Sequence, residues 1–295
     1  MIQNPKPQKY MRALNDFVPR TLTGLFFVIV LAAAIVWGAT SFFILFALIS
    51  ALCTREFCSI ITASPKNEVR LQPFVLMTGS LYLFIAFTFY GRGAQGAEIF
   101  TPYLILLMGI LVRELYLKQP DPIGNWAYAM LSQLYIALPF ALLSPLSLLF
   151  NPNTGIATYY YIIPLCIFIF LWMNDTGAFC IGSLFGKHRL FERISPKKSW
   201  EGFWGGLVVA VASGFSISYA PQAKILTPIE WTGLALIVSI FGTWGDLVES
   251  FLKRQLGIKD SGKILPGHGG MLDRFDSSLL AIPAAMCYLY LIKLI

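Results

Sequence analysis

Residues 229–254 read IEWTGLALIVSIFGTWGDLVESFLKR, and the stretch changes character partway along. Its first part, 229–245, is apolar for about the length a helix needs to cross a bilayer core. If the helix continues, Thr243, Asp246, Glu249, Ser250 and Lys253 follow an i, i+3, i+4, i+7 pattern and share one face. Leu247, Val248, Phe251 and Leu252 then point elsewhere. The spacing predicts a membrane span that leaves the bilayer carrying an acidic-polar stripe.

Similar apolar runs recur along the 295 residues, at 22–38, 40–54, 72–91, 99–112, 126–149, 159–182, 202–220 and 278–295. The chain is 57% hydrophobic and only 13% charged, whereas a soluble domain carries about 25% charge. That balance excludes an ordinary soluble domain. Unbroken runs, in place of short alternating segments, exclude a β-barrel. The expected fold is an all-α polytopic membrane protein of about nine transmembrane helices, one integral membrane domain over residues 1–295. The first two spans, divided only around Gly38, Ala39 and Thr40, read as a tight helical hairpin.

Charge orients these spans. With the N-terminus cytoplasmic, segments 1–21, 55–71, 113–125, 183–201 and 246–277 collect 19 of the 22 Lys and Arg residues. Only Arg92, Lys224 and Lys293 fall on the other side. Cytoplasmic loops should be the basic ones, so residues 1–21 are expected to be a cytoplasmic segment. A secretory signal would place its apolar core earlier in the chain, so the first run is expected to be a retained span. The net charge of +7 is thus mainly a topology signal, and it favours anionic lipid headgroups. Nucleic acid is not an expected partner, because the basic residues are divided among loops between spans. The five cysteines are odd in number and form no CxxC, which argues against a disulfide framework or a zinc site.

The polar chemistry is loaded into the C-terminal half. In WMNDTGAFCIGSLFGKHRL (172–190), Asn174 and Asp175 interrupt an apolar run, where a carboxylate is costly unless it pairs, binds a cation or faces water. KHRLFERISPKKSWEG (187–202) carries five basic residues, among them Lys197 and Lys198. Positive-inside bias accounts for their sign, but not for a second basic, glycine-rich loop one hairpin later. That loop, KDSGKILPGHGGMLDRFDS (259–277), has Gly262, Gly267, Gly269 and Gly270, which permit close backbone approach to a ligand.

Asp246 closes one span, and Asp273 and Asp276 open the next, so a hairpin-like connection can bring them together. Converging carboxylates repel one another and raise their pKa values unless a cation intervenes. Oxygen-only ligands suit a hard ion, Mg²⁺ first with Mn²⁺ as a substitute. Lys197, Lys198, Lys253, Arg254, Lys259, Lys263 and Arg274 surround these acids. Carboxylates, many cations and glycine-rich backbone point to phosphoryl or nucleotidyl transfer, which needs mostly positioning and charge neutralisation.

The segment SFLKRQLGIKDSGKILPGHGGMLDRFD (250–276) resembles the signature of the phosphatidate cytidylyltransferases, also called CDP-diacylglycerol synthases. Each fixed position of that signature is filled, by Ser250, Lys253, Arg254, Lys259, Asp260, His268, Gly269, Gly270, Asp273, Arg274 and Asp276. NDTGAFCIGSLFGKH and ISPKKSWEG resemble the family's upstream blocks, so the likeness in motifs covers about 172–277, the expected catalytic region. The compact chain sets the expectation of a bacterial inner membrane. The resemblance implies that CTP and phosphatidic acid become CDP-diacylglycerol and pyrophosphate, with a lipid phosphate oxygen as nucleophile. It implies metal binding by Asp246 and Asp273, and it allows a second cation and a homodimer.

The candidate catalytic residues are then Asp246, Asp273, Lys259 and Arg274, with Asp276 and Glu249 as further metal ligands. Candidate substrate contacts are Asn174, Asp175, Lys197, Lys198, Ser250, Lys253, Arg254, Asp260, Lys263, His268, Gly269 and Gly270. Two other functions compete. A CTP-dependent lipid kinase, such as a polyprenol kinase, would release CDP in place of pyrophosphate. A transporter would place its polar residues near the midplane of broken helices, not at one face.

Overall fold

The computed structural model describes residues 23–151, 156–262 and 269–293. Its helices are α1 (Thr23–Trp37), α2 (Ala39–Thr62), α3 (Pro73–Gly91), α4 (Thr101–Leu117), α5 (Pro122–Ser132) and α6 (Leu138–Leu146). They continue with α7 (Ile162–Phe185), α8 (Trp200–Ile217), α9 (Pro228–Leu256), α10 (Leu272–Phe275) and α11 (Ser278–Leu291). A π-helical turn, Gln133–Ala137, joins α5 to α6, and a 3₁₀ turn, Ala97–Phe100, leads into α4. Among the described residues seven helices are long and apolar enough to cross a membrane, with α5 and α6 counted as one. The apolar helices α1 and α11 are shorter. The chain is therefore an almost wholly helical, polytopic membrane protein.

Local sequence fixes the helix ends that matter to the site. Thr227 and Glu230 form a reciprocal capping box with Pro228 in the first turn of α9. At the other end Gly257 adopts φ 77°, a left-handed cap that side chains disfavour, with Lys253 and Arg254 in the last turn. Ser199 caps α8 by accepting from Gly202 N at 3.1 Å.

Helices α7, α8 and α9 approach through small residues. The buried face of α8 is Gly202, Gly206, Ala210 and Gly214. A Cβ on Gly206 would stand 2.5 Å from the Asn174 carbonyl of α7, and one on Gly214 would stand 2.8 Å from the Trp231 carbonyl of α9. In a bilayer, where apolar side chains gain nothing by leaving lipid, such close backbone contact drives association.

An aromatic cluster ties the two halves together. The Phe275 ring of α10 packs on Phe27, Phe46, Phe140 and Phe168, at centroid distances of 5.6, 6.4, 5.3 and 6.0 Å. Those four rings belong to α1, α2, α6 and α7.

Two sequence expectations change, and the helical continuation of the stretch 229–254 is present. The second span, expected at 40–54, stays helical to Thr62 and carries Arg55 and Glu56 within it. The span expected at 229–245 continues without a break to Leu256, so its polar stripe is helical throughout. Two short antiparallel hairpins interrupt the all-α pattern: β1 (Leu148–Asn151) with β2 (Ile156–Tyr159), and β3 (Arg189–Phe191) with β4 (Ser195–Ser199). The second hairpin folds the basic loop back over the end of α7. There Glu201 of α8 accepts from the backbone N–H groups of Lys187 and His188 and meets His188 Nδ1 at 2.6 Å.

Candidate active site

The polar ends of α7 and α9, the β3–β4 hairpin and the turn of α10 enclose two neighbouring cavities. One, of about 470 Å³, is lined by Asp175, Asp246, Asp273, Arg274, Asp276 and Ser277, with Trp172 and four α1 residues from Thr23 to Val28. The other, of about 570 Å³, is lined by Asn174, Asp175, Arg189, Lys197, Lys198, Ser199 and Thr243, with apolar walls that include Phe179 and Phe203. Asp175 belongs to both. Lys198, on the wall of the second cavity, is ion-paired with Asp246 on the wall of the first.

The predicted convergence of Asp246 with the α10 turn is present. Gly245 fits against the carbonyls of Asp276 and Ser277, where a Cβ would stand 2.8 and 2.9 Å from the two oxygens. Asp246 also accepts from Ser250 Oγ at 3.2 Å. One turn along α9, the fully buried Glu249 lies 2.5 Å from Lys253 Nζ, and its Oε1 meets no hydrogen-bond donor among the described residues.

Asp273 is the most heavily bonded acid of the site. Lys253 Nζ donates to Oδ1 at 2.8 Å, Ser261 N to Oδ2 at 2.9 Å and Gly270 N to Oδ2 at 2.8 Å. Burial pushes its pKa up, but Lys253 and the two backbone amides outweigh burial, and the carboxyl ends below its usual value. Asp276 is the reverse case. Loss of hydration, then the like charges of Asp246 and Glu249, push it well above the usual range. Its backbone-bonded oxygen, held by Ser277 N at 2.6 Å, offsets only part of this.

The other candidates divide. Asn174 is buried, donates to Thr243 Oγ1 at 3.2 Å, and keeps an Oδ1 with no partner among the described residues. Lys197 and Lys198 line the second cavity as cations. Lys253 serves as the internal counter-ion of Glu249 and Asp273. Arg254 turns back to the Ile258 carbonyl at 3.2 Å and helps finish α9. Lys259 and Asp260 are exposed and line neither cavity. Gly269 has φ 84°, a conformation suited to glycine, and Gly270 supplies an amide to Asp273. Lys263 and His268 lie outside the described residues. Among the described residues no group of three or more His, Cys, Asp or Glu side chains stands ready to hold a metal ion.

Sequence reasoning missed Arg189, Thr243 as a partner of Asn174, and Glu56. Arg189 was legible only as one charge of a basic loop, and the β3–β4 hairpin that carries it to the cavity had no clear signal. Glu56 sat beside Arg55 past the end of an apolar run and read as loop, yet it is buried in α2 and reaches the α10 turn.

Acids, lysines and inward-facing amides at the polar end of a helical membrane bundle define a class of membrane enzyme that handles phosphate esters. The chain belongs to the cytidylyltransferase family, whose sequence model matches residues 18–292, and it is a nucleotidyltransferase. It is similar to the phosphatidate cytidylyltransferase of Staphylococcus haemolyticus, at 32% identity over 269 residues, which covers 90% of this chain and 95% of that protein. The phosphatidate cytidylyltransferase of Bacillus subtilis is 34% identical over 275 residues, covering 91% and 96%. That of Staphylococcus aureus strain COL is 42% identical over 161 residues, covering 53% and 56%.

Proposed function

We propose that this chain joins CTP to phosphatidic acid to give CDP-diacylglycerol and pyrophosphate, working at the cytoplasmic face of a bacterial inner membrane. The observation that carries the proposal is the pair of cavities meeting at Asp175 and the Lys198–Asp246 ion pair. One cavity is lined by acids and suits a cation-bound triphosphate. Its neighbour is basic and apolar, and Phe179 on its wall is 75% exposed, as a side chain facing acyl chains would be.

In this reaction a phosphate oxygen of phosphatidate attacks the α-phosphorus of CTP. A new P–O bond forms, the bond from the α-phosphorus to the bridging oxygen breaks, and pyrophosphate leaves with the electron pair. Both reactants are anionic, so Lys197, Lys198 and Arg189 on the lipid side, and Arg274 on the acid side, lower the repulsion between them. Lys259 would extend this positive field toward the incoming triphosphate. Asn174, held by Thr243 on the wall of the second cavity, would help shape the substrate pocket.

The donor set fits a hard divalent cation, Mg²⁺ or its substitute Mn²⁺. It is all oxygen, and the pressure on Asp276 from Asp246 and Glu249 is of the kind that a bound cation removes. Asp246 and Asp273 would hold the ion, with Asp276 and Glu249 beside them and room for a second cation. Bound there, the ion would offset triphosphate charge and make the α-phosphorus more electrophilic. Lys198 would then be free to leave Asp246 for a substrate phosphate.

The orientation follows from the same chemistry. CTP is cytosolic, so α7, α9 and the α10 turn present their polar ends to the cytoplasm, and with about nine spans the N-terminus lies on that side too. The resemblance also allows a homodimer, for which molar mass in a detergent micelle is the test. The activity is checked with purified protein, labelled CTP, phosphatidate and Mg²⁺. A chloroform-soluble cytidine lipid and pyrophosphate are expected. Release of CDP with a phosphorylated lipid alcohol would make the chain a CTP-dependent lipid kinase, and substrate uptake into vesicles without CTP would make it a transporter.

A further inference from the structure

We infer that Glu56 is a positioning residue, which fixes the glycine-rich loop of the active site from the N-terminal half of the chain. Glu56 lies on α2 and is 5% exposed. Its Oε2 accepts from Leu272 N at 2.8 Å and from Ser261 Oγ at 3.2 Å. Those two donors stand at opposite ends of the glycine-rich loop, 205 and 216 residues along the chain from Glu56. Asp273 grips the same base from its other side, through Ser261 N and Gly270 N. The loop is therefore closed by two carboxylates, one of them its own and one supplied by α2.

The local sequence is shaped around this contact. A Cβ on Gly262 would stand 2.6 Å from Glu56 Oε1, and one on Gly270 would collide with Glu56 Oε2 and Ser261 Oγ. Only residues without a side chain let a carboxylate wedge between the two arms of the loop. A second tie runs in parallel: Lys66 Nζ, just past α2, donates to the Gln255 carbonyl at 2.6 Å and braces the end of α9. The two ends of the connection that separates Asp246 from Asp273 are thus held by Lys66, past the end of α2, and by Glu56 on α2. Bonds to a carboxylate are stronger and more directional than those between neutral groups, which suits a clamp.

The inference deepens the proposed reaction and rests on it for its kinetic arm alone. The experiment compares Glu56→Ala, Glu56→Gln and Ser261→Ala in the full-length protein, by amide hydrogen exchange of residues 261–273 and by kcat with CTP and phosphatidate. The Gln variant keeps an acceptor oxygen where both donors converge. Expected are faster exchange across 261–273 in Glu56→Ala, a fall in kcat of about tenfold or more, and recovery of most of it in Glu56→Gln. Ser261→Ala should fall between, and it supplies the kinetic test if Glu56→Ala does not fold. Unchanged exchange in Glu56→Ala, or a Gln variant as poor as Ala, would overturn the clamp. If the parent makes no CDP-lipid the proposed reaction fails, while the exchange result still decides the clamp.

Discussion

Asp273 and Asp276 lie three residues apart on one turn of chain, and their surroundings drive them in opposite directions. Asp273 faces a lysine and two backbone amides, which keep it ionised. Asp276 loses hydration and feels the like charges of Asp246 and Glu249, and is pushed toward its neutral form. One carboxylate is met by a lysine and two backbone amides, and the other by the single amide of Ser277. A motif written as D-R-hydrophobic-D runs together two carboxylates in different surroundings; in the proposed reaction both stand at the ion, and Asp273 also ties the loop.

The sharpest way to break this comparison is Asp273→Asn. It removes the charge that pairs with Lys253 and turns one accepting oxygen into a donor that faces Lys253 or the two amides, so it should cost about 3 kcal/mol of stability along with nearly all activity. Thermal unfolding in detergent, followed beside turnover, checks it. A variant as stable as the parent would mean that Asp273 is not an anchor. Asp246→Asn should lose on the order of 10²–10³ in kcat while its thermal midpoint stays near that of the parent, because its Lys198 partner remains partly exposed and can turn to water. Near-normal turnover at saturating Mg²⁺ would remove Asp246 from the metal site.

Asp276→Asn sharpens the contrast. It removes a repelled charge, so the metal-free protein should hold or gain thermal stability, while the rise in midpoint on adding Mg²⁺ should shrink. At Mg²⁺ about 100 times its Kd, linkage adds about 2.7 kcal/mol to the parent. An equal increment in Asp276→Asn would show that this acid takes no part in holding the ion. The smallest effect is expected from Ser250→Ala, which removes one hydrogen bond to Asp246 and should lower kcat/KM by about threefold to tenfold.

Much of this site was legible because helix periodicity is rigid. Once residues 242–254 are helical, Asp246, Glu249 and Lys253 must share a face, and a connection of fixed length returns Asp273 to it. The contrast between Asp273 and Asp276 was not legible, since their spacing on a helix is the same whichever groups face them. Glu56 was hidden for a related reason: its partners are more than two hundred residues away, and nothing local distinguishes a buried acid from a solvated one. The β3–β4 hairpin was also missed, because RLFERISPKKS reads first as a charged loop.

Phe275 falls between the two aspartates in the chain, and its ring packs on α1, α2, α6 and α7. It behaves as a keystone. A fragment that began at α7 would retain nearly every reactive group and still leave that ring without three of its four aromatic neighbours. Gene truncation should therefore yield inert protein, whereas two separately encoded pieces, divided between β1 and β2 and expressed together, should regain function by docking around it.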